Sequence, residues 1–147
     1  MFGGVTHLSL DPKNRLAIPA RYRDEVLGRS NGKIVMTLES SQCLLLYPEQ
    51  NFAIVRDKVQ NLSNHPLVKS YQRLFLGHAE TLEMDKAGRI LLSATLRDLA
   101  QLEKEVVLVG LGNRFELWDK TKWQAETDKA LEISQDDLAN LMQGFSL

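Results

Sequence analysis

Short apolar runs separated by turn residues recur along the chain, and most of them are too short for a helix. Residues 5–10 alternate loosely between apolar and polar side chains and predict a first strand. A polar turn follows, and residues 16–18 predict a second strand. Two hairpins are predicted further on, one at residues 34–38 with 43–47 and one at residues 106–109 with 115–118.

Helical spacing of apolar residues appears in the intervening segments. Pro19 is predicted to lie in the first turn of a helix, a position that suits a residue without an amide proton. Ser93 stands in the equivalent place of the second half and predicts an N-cap. Further helices are predicted at residues 52–59, 68–76 and 122–131, and a last one after Ser134, with acids in its first turn.

The chain repeats itself at a long period. Shifted by 74 positions, residues 5–24 match residues 79–98 with six identities, among them Asp11 with Asp85 and Arg15 with Arg89. Further along, the offset shrinks to 71, and Leu46-Tyr47-Pro48 faces Leu117-Trp118-Asp119. The order of elements repeats as well. This indicates a tandem duplication rather than a solenoid, which needs three or more units.

Each copy contains a turn of the form Asp-x-x-x-Arg. In the first copy, Asp11 and Pro12 occupy the positions that these residues favour in a turn. Asn14 in the first copy corresponds to Gly88 in the second. Because Asn and Gly best tolerate positive φ, both copies are expected to have a left-handed residue at this point.

Composition narrows the class of protein. The chain has 147 residues, 44% of them hydrophobic and 25% charged, which is typical of a globular protein. Modules of about 70 residues bury little core alone, so the two copies are expected to pack together or to oligomerise. The single cysteine, Cys43, lies in an apolar run and is predicted to be a buried, inert thiol. No cofactor and no metal site is expected, and no stretch approaches membrane-spanning length, which favours a cytoplasmic location.

Charge is unevenly distributed, although the net charge is only −1. Residues 11–33 carry six basic and three acidic side chains, whereas residues 119–147 carry three basic and six acidic ones. The chain therefore combines a basic N-terminal part with an acidic C-terminal part.

The two Asp-x-x-x-Arg turns admit two interpretations. Asp11 with Arg15, and Asp85 with Arg89, could form ion pairs that only fix the shape of the turn. Alternatively, the arginines project toward DNA, where a planar guanidinium can engage guanine or phosphate with two parallel bonds. The neighbouring cations could be a solvated face or could contact phosphate; they are Lys13, Lys86, Arg21 and Arg23. No nucleophile with a paired base and no phosphate-binding loop accompanies the acids, so no catalytic residue and no small-molecule substrate is predicted.

The repeated turn, followed by a strand and an arginine-bearing helix, resembles the SpoVT-AbrB class of swapped-hairpin DNA-binding modules. Two such modules, together with the opening Met1-Phe2-Gly3-Gly4 and the segment Asp85-Lys86-Ala87-Gly88-Arg89-Ile90, resemble the MraZ family over essentially the whole chain. The resemblance implies an α+β, mostly β fold with a pseudo-twofold duplication and flanking helices. The expected units are module 1 at 5–52, a helical connector at 53–78, module 2 at 79–124 and a C-terminal helical segment at 125–147.

The resemblance also implies a function. A family member is expected to be a sequence-specific transcriptional regulator, a repressor of its own promoter and of the division and cell-wall gene cluster. It would bind direct repeats in double-stranded DNA as a homo-oligomeric ring, in the cytoplasm and associated with the nucleoid. Arg15 and Arg89 would then contact DNA, while Asp11, Asp85, Asn14 and Gly88 would shape the turns. The alternative is an antitoxin-like or scaffold interaction module without specific DNA reading.

Overall fold

A computed structural model describes residues 1–143, which form eight strands and six helices. The first half contains β1 (Phe2–Ser9), β2 (Arg15–Ala17), α1 (Ala20–Ser30), β3 (Lys33–Leu38), β4 (Leu44–Pro48) and α2 (Glu49–Gln60). After α3 (Pro66–Phe75), the second half contains β5 (Glu80–Glu83), β6 (Arg89–Leu91), α4 (Ala94–Leu99), β7 (Glu105–Gly112), β8 (Phe115–Asp119), α5 (Lys120–Leu131) and α6 (Gln135–Leu141). The fold is α+β, with antiparallel strands at its centre.

Strands from both halves form one six-stranded sheet in the order β1-β7-β8-β4-β3-β5. The first strand of each half pairs with the hairpin of the other half: β1 with β7, and β5 with β3. The second strands, β2 and β6, pair only with each other and form a two-stranded ribbon. The halves are therefore interleaved, as the swapped-hairpin resemblance implies.

The strand registers show the pseudo-twofold symmetry of the duplication. In the ribbon, Leu16 lies opposite Ile90, which is its own equivalent at an offset of 74. In the large sheet, Leu45 lies opposite Glu116, its equivalent at an offset of 71. A twofold axis places equivalent residues opposite each other, so it passes through both of these pairs. The two offsets seen in the sequence thus correspond to the two points where the axis crosses a sheet.

The large sheet is the middle of three layers. Alternate residues of β3 point to opposite faces, so Ile34 and Met36 join one hydrophobic cluster while Val35 joins another. The first cluster includes buried residues of α1, α4 and the ribbon. The second includes buried residues of α2 and α3, with Trp123 of α5 packed against it. The ribbon is thereby held against one face of the sheet.

Most predicted elements are confirmed, with small shifts at their ends. Both hairpins form, Ser93 caps α4 by accepting from the Leu96 amide, and Ser134 caps α6 by accepting from the Asp137 amide. Pro19 lies at the N-cap position, one residue before α1 begins. The described part of α6 ends at Leu141, and the last four residues of the predicted C-terminal segment, 144–147, lie outside the described range.

The pairing of the first two strands differs from a simple interpretation of the sequence. The polar turn after β1 predicts that residues 16–18 return as the partner of that strand. Instead, β1 pairs with β7 and β2 pairs with β6. Strand β1 also begins earlier than predicted, at Phe2, because β7 offers it backbone partners as far as Gly112. Phe2 is buried there against Tyr22 and Phe115.

Among the described residues, none of the helices combines the length and the apolar character that crossing a membrane requires.

Candidate nucleic-acid interface

The ribbon presents both turn arginines on one surface. Leu16 and Ile90 face the core and are 0% and 1% exposed. Because successive side chains of a strand point to opposite faces, Arg15 and Arg89 face away from the core. They lie on a diagonal of the ribbon, a position that ordinarily separates Cα atoms by about 7–8 Å. The fold therefore places the two arginines side by side on one face, which their separation of 74 residues in sequence does not suggest.

The first turn holds its arginine through the carboxylate of Asp11. One oxygen accepts hydrogen bonds from the backbone amides of Lys13 and Arg15 at 2.9 and 2.8 Å. The other oxygen accepts from Arg15 Nε at 2.6 Å. The turn is closed by the Asn14 amide, which donates to the Asp11 carbonyl at 2.9 Å. Asp11 thus fixes the Arg15 backbone and the near side of its guanidinium together.

The second turn repeats this arrangement. Asp85 accepts from the amides of Ala87 and Arg89 at 3.0 and 2.8 Å, and from Arg89 Nε at 3.0 Å. In both turns the arginine amide, followed by the guanidinium, lowers the pKa of the carboxyl group, so that of Asp11 and that of Asp85 both lie below the ordinary value. Both carboxylates are therefore ionised at neutral pH.

Because the turn carboxylate binds Nε of each arginine, the Nη atoms at the outer edge of the guanidinium remain available to other acceptors. Among residues 1–143, no hydrogen bond is made by the Nη atoms of Arg15 or Arg89. Their side chains are 29% and 37% exposed. Two parallel N–H donors on a fixed arginine suit the O6 and N7 atoms of guanine, or two oxygens of a phosphate.

The left-handed turn positions are confirmed. Asn14 has φ 61° and Gly88 has φ 79°. Asn tolerates this region because its short polar side chain can hydrogen-bond locally, so the two turns keep the same backbone with different residues. Gly88 is buried, whereas Asn14 is partly exposed.

Two lysines flank the arginines. Lys13 is exposed in the first turn, and Lys86 is exposed in the second. The turns are not identical in this respect, since Lys13 aligns with Ala87 and Lys86 aligns with Pro12. Each turn nevertheless carries one exposed lysine beside its arginine.

The two arginines of α1 have partners within the protein. Arg21 donates to the Thr6 hydroxyl on β1 at 2.6 Å and lies over the Tyr22 ring, 4.5 Å from its centroid. Arg23 donates through Nε to the carbonyl of Ile18 at 2.7 Å. Arg21 is therefore attached to the large sheet, and Arg23 to the end of the ribbon.

Hydrogen bonds between the halves tie each turn to the opposite strand. The Ile18 amide donates to the Gly88 carbonyl at 2.8 Å, and the Leu92 amide donates to the Asn14 carbonyl at 3.0 Å. Sequence reasoning missed these bonds, because hydrophobic periodicity does not show which strands pair. The offset between the two copies was the one available signal, since equivalent residues lie opposite each other wherever a twofold axis crosses a sheet.

Cys43 is buried, as predicted. Its Sγ and the carboxylates of Glu39 and Glu116 lie within 4.8 Å of one another. Burial, and next to it the Glu116 charge, raise the pKa of the Cys43 thiol far above its ordinary value. The thiol is thus neutral at physiological pH, which agrees with an inert side chain.

Comparison with known proteins identifies relatives over the full length of the chain. The family model described as "MraZ protein, putative antitoxin-like" matches twice, at residues 1–73 and at residues 75–145. The two matches correspond to the two halves that are interleaved in the sheet.

Similar proteins carry one name. A protein of Chromobacterium violaceum called "Transcriptional regulator MraZ" is 55% identical over 148 residues, which cover 100% of both chains. Proteins of the same name from Nitrosomonas europaea and Pectobacterium atrosepticum are 49% and 46% identical, again over 100% of both chains.

Proposed function

This chain belongs to the MraZ family, and from that premise we propose that it is a transcriptional regulator that binds double-stranded DNA through its two-stranded ribbon. The relatives bear the name of a transcriptional regulator. A chain that binds promoter DNA works in the cytoplasm, in association with the nucleoid. No catalytic step is part of this function.

One observation carries the proposal: Arg15 and Arg89 lie on the same outer face of the ribbon, each held by a turn carboxylate. A two-stranded ribbon fits the major groove of B-DNA, which is about 12 Å wide. An arginine that is fixed before binding loses less conformational entropy than one on a mobile loop. The site therefore favours recognition of base edges over loose attraction to the backbone.

The residues divide into two roles. Arg15 and Arg89 are proposed to contact base edges, because their free Nη edges form a fork of parallel donors. Lys13 and Lys86 are proposed to contact phosphate, since an ammonium group acts as a point charge. Arg21, which lies on α1 and bonds to Thr6 of the large sheet, would be an outer phosphate contact. These local cations act at short range, so a net charge of −1 over the whole chain does not oppose the proposal.

A single ribbon makes few contacts, so several are needed for a stable complex. We propose that copies of the chain form a ring and that neighbouring ribbons engage successive direct repeats. Each bound copy raises the effective concentration of the next. As the family resemblance implies, the repeats would lie in the promoter of its own gene and of the division and cell-wall cluster, where binding represses transcription.

The first prediction is that Arg15→Ala abolishes detectable binding to the DNA upstream of its own gene. One lost base contact costs about 1–3 kcal/mol, and repeated engagement multiplies this loss. Arg89→Ala is expected to have a similar or weaker effect, because fewer basic residues surround it. Titration of a labelled upstream fragment and of a scrambled fragment, over a salt series, measures both affinity and specificity.

Arg56→Ala is the matched control. Arg56 is also an exposed arginine next to an aspartate, Asp57, but it lies on α2, which packs on the other side of the large sheet. Its loss is expected to leave binding unchanged. Circular dichroism and sizing of all variants check folding and assembly. If Arg15→Ala binds the upstream DNA with wild-type affinity, the turns have a purely structural role. That result would favour an interaction module that does not recognise a specific DNA sequence.

A further inference from the structure

We infer that Arg23 is a positioning residue that locks the second DNA-binding turn from the opposite half of the chain. This inference rests on the proposed function, because positioning has a measurable purpose only if the turn binds DNA. Sequence reasoning offers a simpler role for Arg23, as one of the cations that contact phosphate. The two roles predict different responses to salt and to substitution.

The Arg23 side chain packs directly on Gly88. A Cβ atom at residue 88 would overlap the guanidinium, with only 2.6 Å to Arg23 Cδ and to Cζ. The guanidinium cannot easily move away, because its Nε donates to the Ile18 carbonyl at 2.7 Å. Ile18 in turn donates its amide to the Gly88 carbonyl at 2.8 Å. Arg23, Ile18 and Gly88 thus form a closed set of contacts between the two halves.

This explains why residue 88 is Gly while residue 14 is Asn. Both have positive φ, which Asn accepts. Backbone conformation alone would therefore allow Asn at either turn. Only at residue 88 does an arginine of the other half occupy the space of a Cβ atom.

The first turn has a looser counterpart. Arg97 is the equivalent of Arg23 and, with Asn14, lines a cleft of about 460 Å³. The corresponding cleft of the second turn, which Arg23 and Gly88 line together with Asp85, is smaller, about 220 Å³. Among the described residues no hydrogen bond anchors the Arg97 guanidinium to the Leu92 carbonyl, the equivalent of the Ile18 carbonyl. The lock is therefore a property of the second turn.

The consequence concerns Arg89. Its turn begins at Asp85, and Gly88 is the residue immediately before it. Asp85 already holds the amide and the Nε of Arg89. If Gly88 is fixed as well, the direction in which the Arg89 side chain leaves the turn is also fixed. Loss of Arg23 would leave the turn able to form but less restricted, and restriction before binding improves affinity.

The test compares Arg23→Ala with the matched variant Arg97→Ala, using full-length protein and the upstream DNA fragment. Arg23→Ala is expected to weaken binding roughly tenfold for each ribbon engaged, the effect of one misplaced base contact. The slope of log affinity against log salt should stay at the wild-type value. Loss of a phosphate contact would instead lower the magnitude of that slope by about 0.9 for each ribbon engaged. Arg97→Ala should have a much smaller effect on affinity.

A double-mutant cycle tests the contact itself. Gly88→Asn introduces a Cβ atom, while asparagine tolerates the positive φ of this position. The substitution is therefore expected to weaken binding by displacing Arg23. In Arg23→Ala with Gly88→Asn, the space is free, and binding should be no weaker than in Arg23→Ala alone. Coupling of this kind is expected only for groups in contact. Additive losses would overturn the inference, as would a lowered salt slope in Arg23→Ala.

Amide hydrogen exchange separates this inference from the proposed function. Exchange at Ile18, whose amide donates to Gly88, should accelerate in Arg23→Ala and not in Arg97→Ala. This measurement needs no DNA. If wild-type protein fails to bind the fragment, the proposed function fails while exchange still reports on the lock. Unchanged exchange at Ile18 contradicts the lock even if DNA binding is intact.

Discussion

At the scale of single residues, Asp11 and Asp85 determine how the arginines are presented. Each accepts from two backbone amides and from an arginine Nε, so one carboxylate sets both the turn and the side chain. Such bonds to a charged acceptor are stronger than neutral ones. The same carboxylates make the turns sensitive to acid.

We predict that the stabilising effect of the Asp11 carboxylate depends on pH. The folded protein holds the pKa of this group below its ordinary value, so the unfolded chain binds protons more readily. The contribution is therefore fully present above the ordinary value and is lost as pH falls through the lowered one. Denaturant unfolding of wild type and Asp11→Asn, at fixed protein concentration, should give a difference in free energy of unfolding at pH 7 that disappears at low pH. A difference that does not change with pH would contradict this.

The sequence predicts these residue-scale features well, because they are local. The left-handed positions at Asn14 and Gly88 follow from side-chain chemistry within a turn of five residues. The packing of Arg23 on Gly88 could not be predicted in the same way. It joins residues that are 65 positions apart, and nothing in either segment alone reveals the contact.

At the scale of elements, the close approach of β1 to β7 explains a glycine in the middle of a strand. Gly110 lies opposite Gly4, and a Cβ atom at residue 110 would come within 2.8 Å of Gly3 Cα. The obstacle is backbone rather than a flexible side chain. Strand β1 would therefore have to move away from β7, which would weaken the exchange of strands between the halves.

We predict that Gly110→Ala lowers the free energy of unfolding by about 1–3 kcal/mol, the usual cost of overpacking. Gly28→Ala is the matched control, because a Cβ atom there meets nothing within 4 Å and Gly28 lies inside α1. It should stabilise the protein by up to about 1 kcal/mol, since Ala is the better helix former. Chemical denaturation measures both changes. Equal effects of the two substitutions would show that the β1–β7 approach is not tight.

Element types were predictable, but element pairing was not. Hairpins at β3–β4 and β7–β8 join neighbours in sequence, so apolar runs and turns sufficed. The partner of β1 lies about 100 residues away, and alternation of side chains does not identify it. The interleaving of the two halves was expected only from the resemblance to swapped-hairpin modules.

At the scale of the whole molecule, the modules predicted at 5–52 and 79–124 contribute strands to one shared sheet, so we propose that they are units of duplication rather than independent folding units. Every hairpin in the large sheet is completed by a strand of the other half. The connector proposed at 53–78 and the described part of the proposed C-terminal segment, 125–143, lie outside this exchange. The C-terminal segment is the part of the chain whose described residues pack least on the body, since neither α5 nor α6 has a buried residue.

The C-terminal segment also exposes large apolar side chains. Leu131 is 80% exposed, Leu141 is 81% exposed, and Ile133 is about half exposed. The surrounding residues 119–147 are acidic, whereas residues 11–33 are basic. A ring forms when a surface of one copy binds a different surface of the next and the rotation closes. We therefore propose that the C-terminal segment binds the basic first module of a neighbouring copy.

The last prediction is that the chain forms an assembly larger than a dimer and that this assembly needs α6. Truncation after Ile133 removes α6, and Leu141→Lys places a charge on its exposed apolar surface; both are expected to produce smaller species. Because ring closure supplies the avidity for repeated sites, both variants should also lose most DNA affinity while a single ribbon stays intact.

Leu67→Lys is the control, since Leu67 is 75% exposed but lies on α3. Light scattering gives the mass of each species, and circular dichroism confirms that the sheet is folded. A wild-type mass of 16.7 kDa, that of one chain, would contradict the proposal of a ring. An unchanged mass in both variants would show that α6 is not part of the contact between copies.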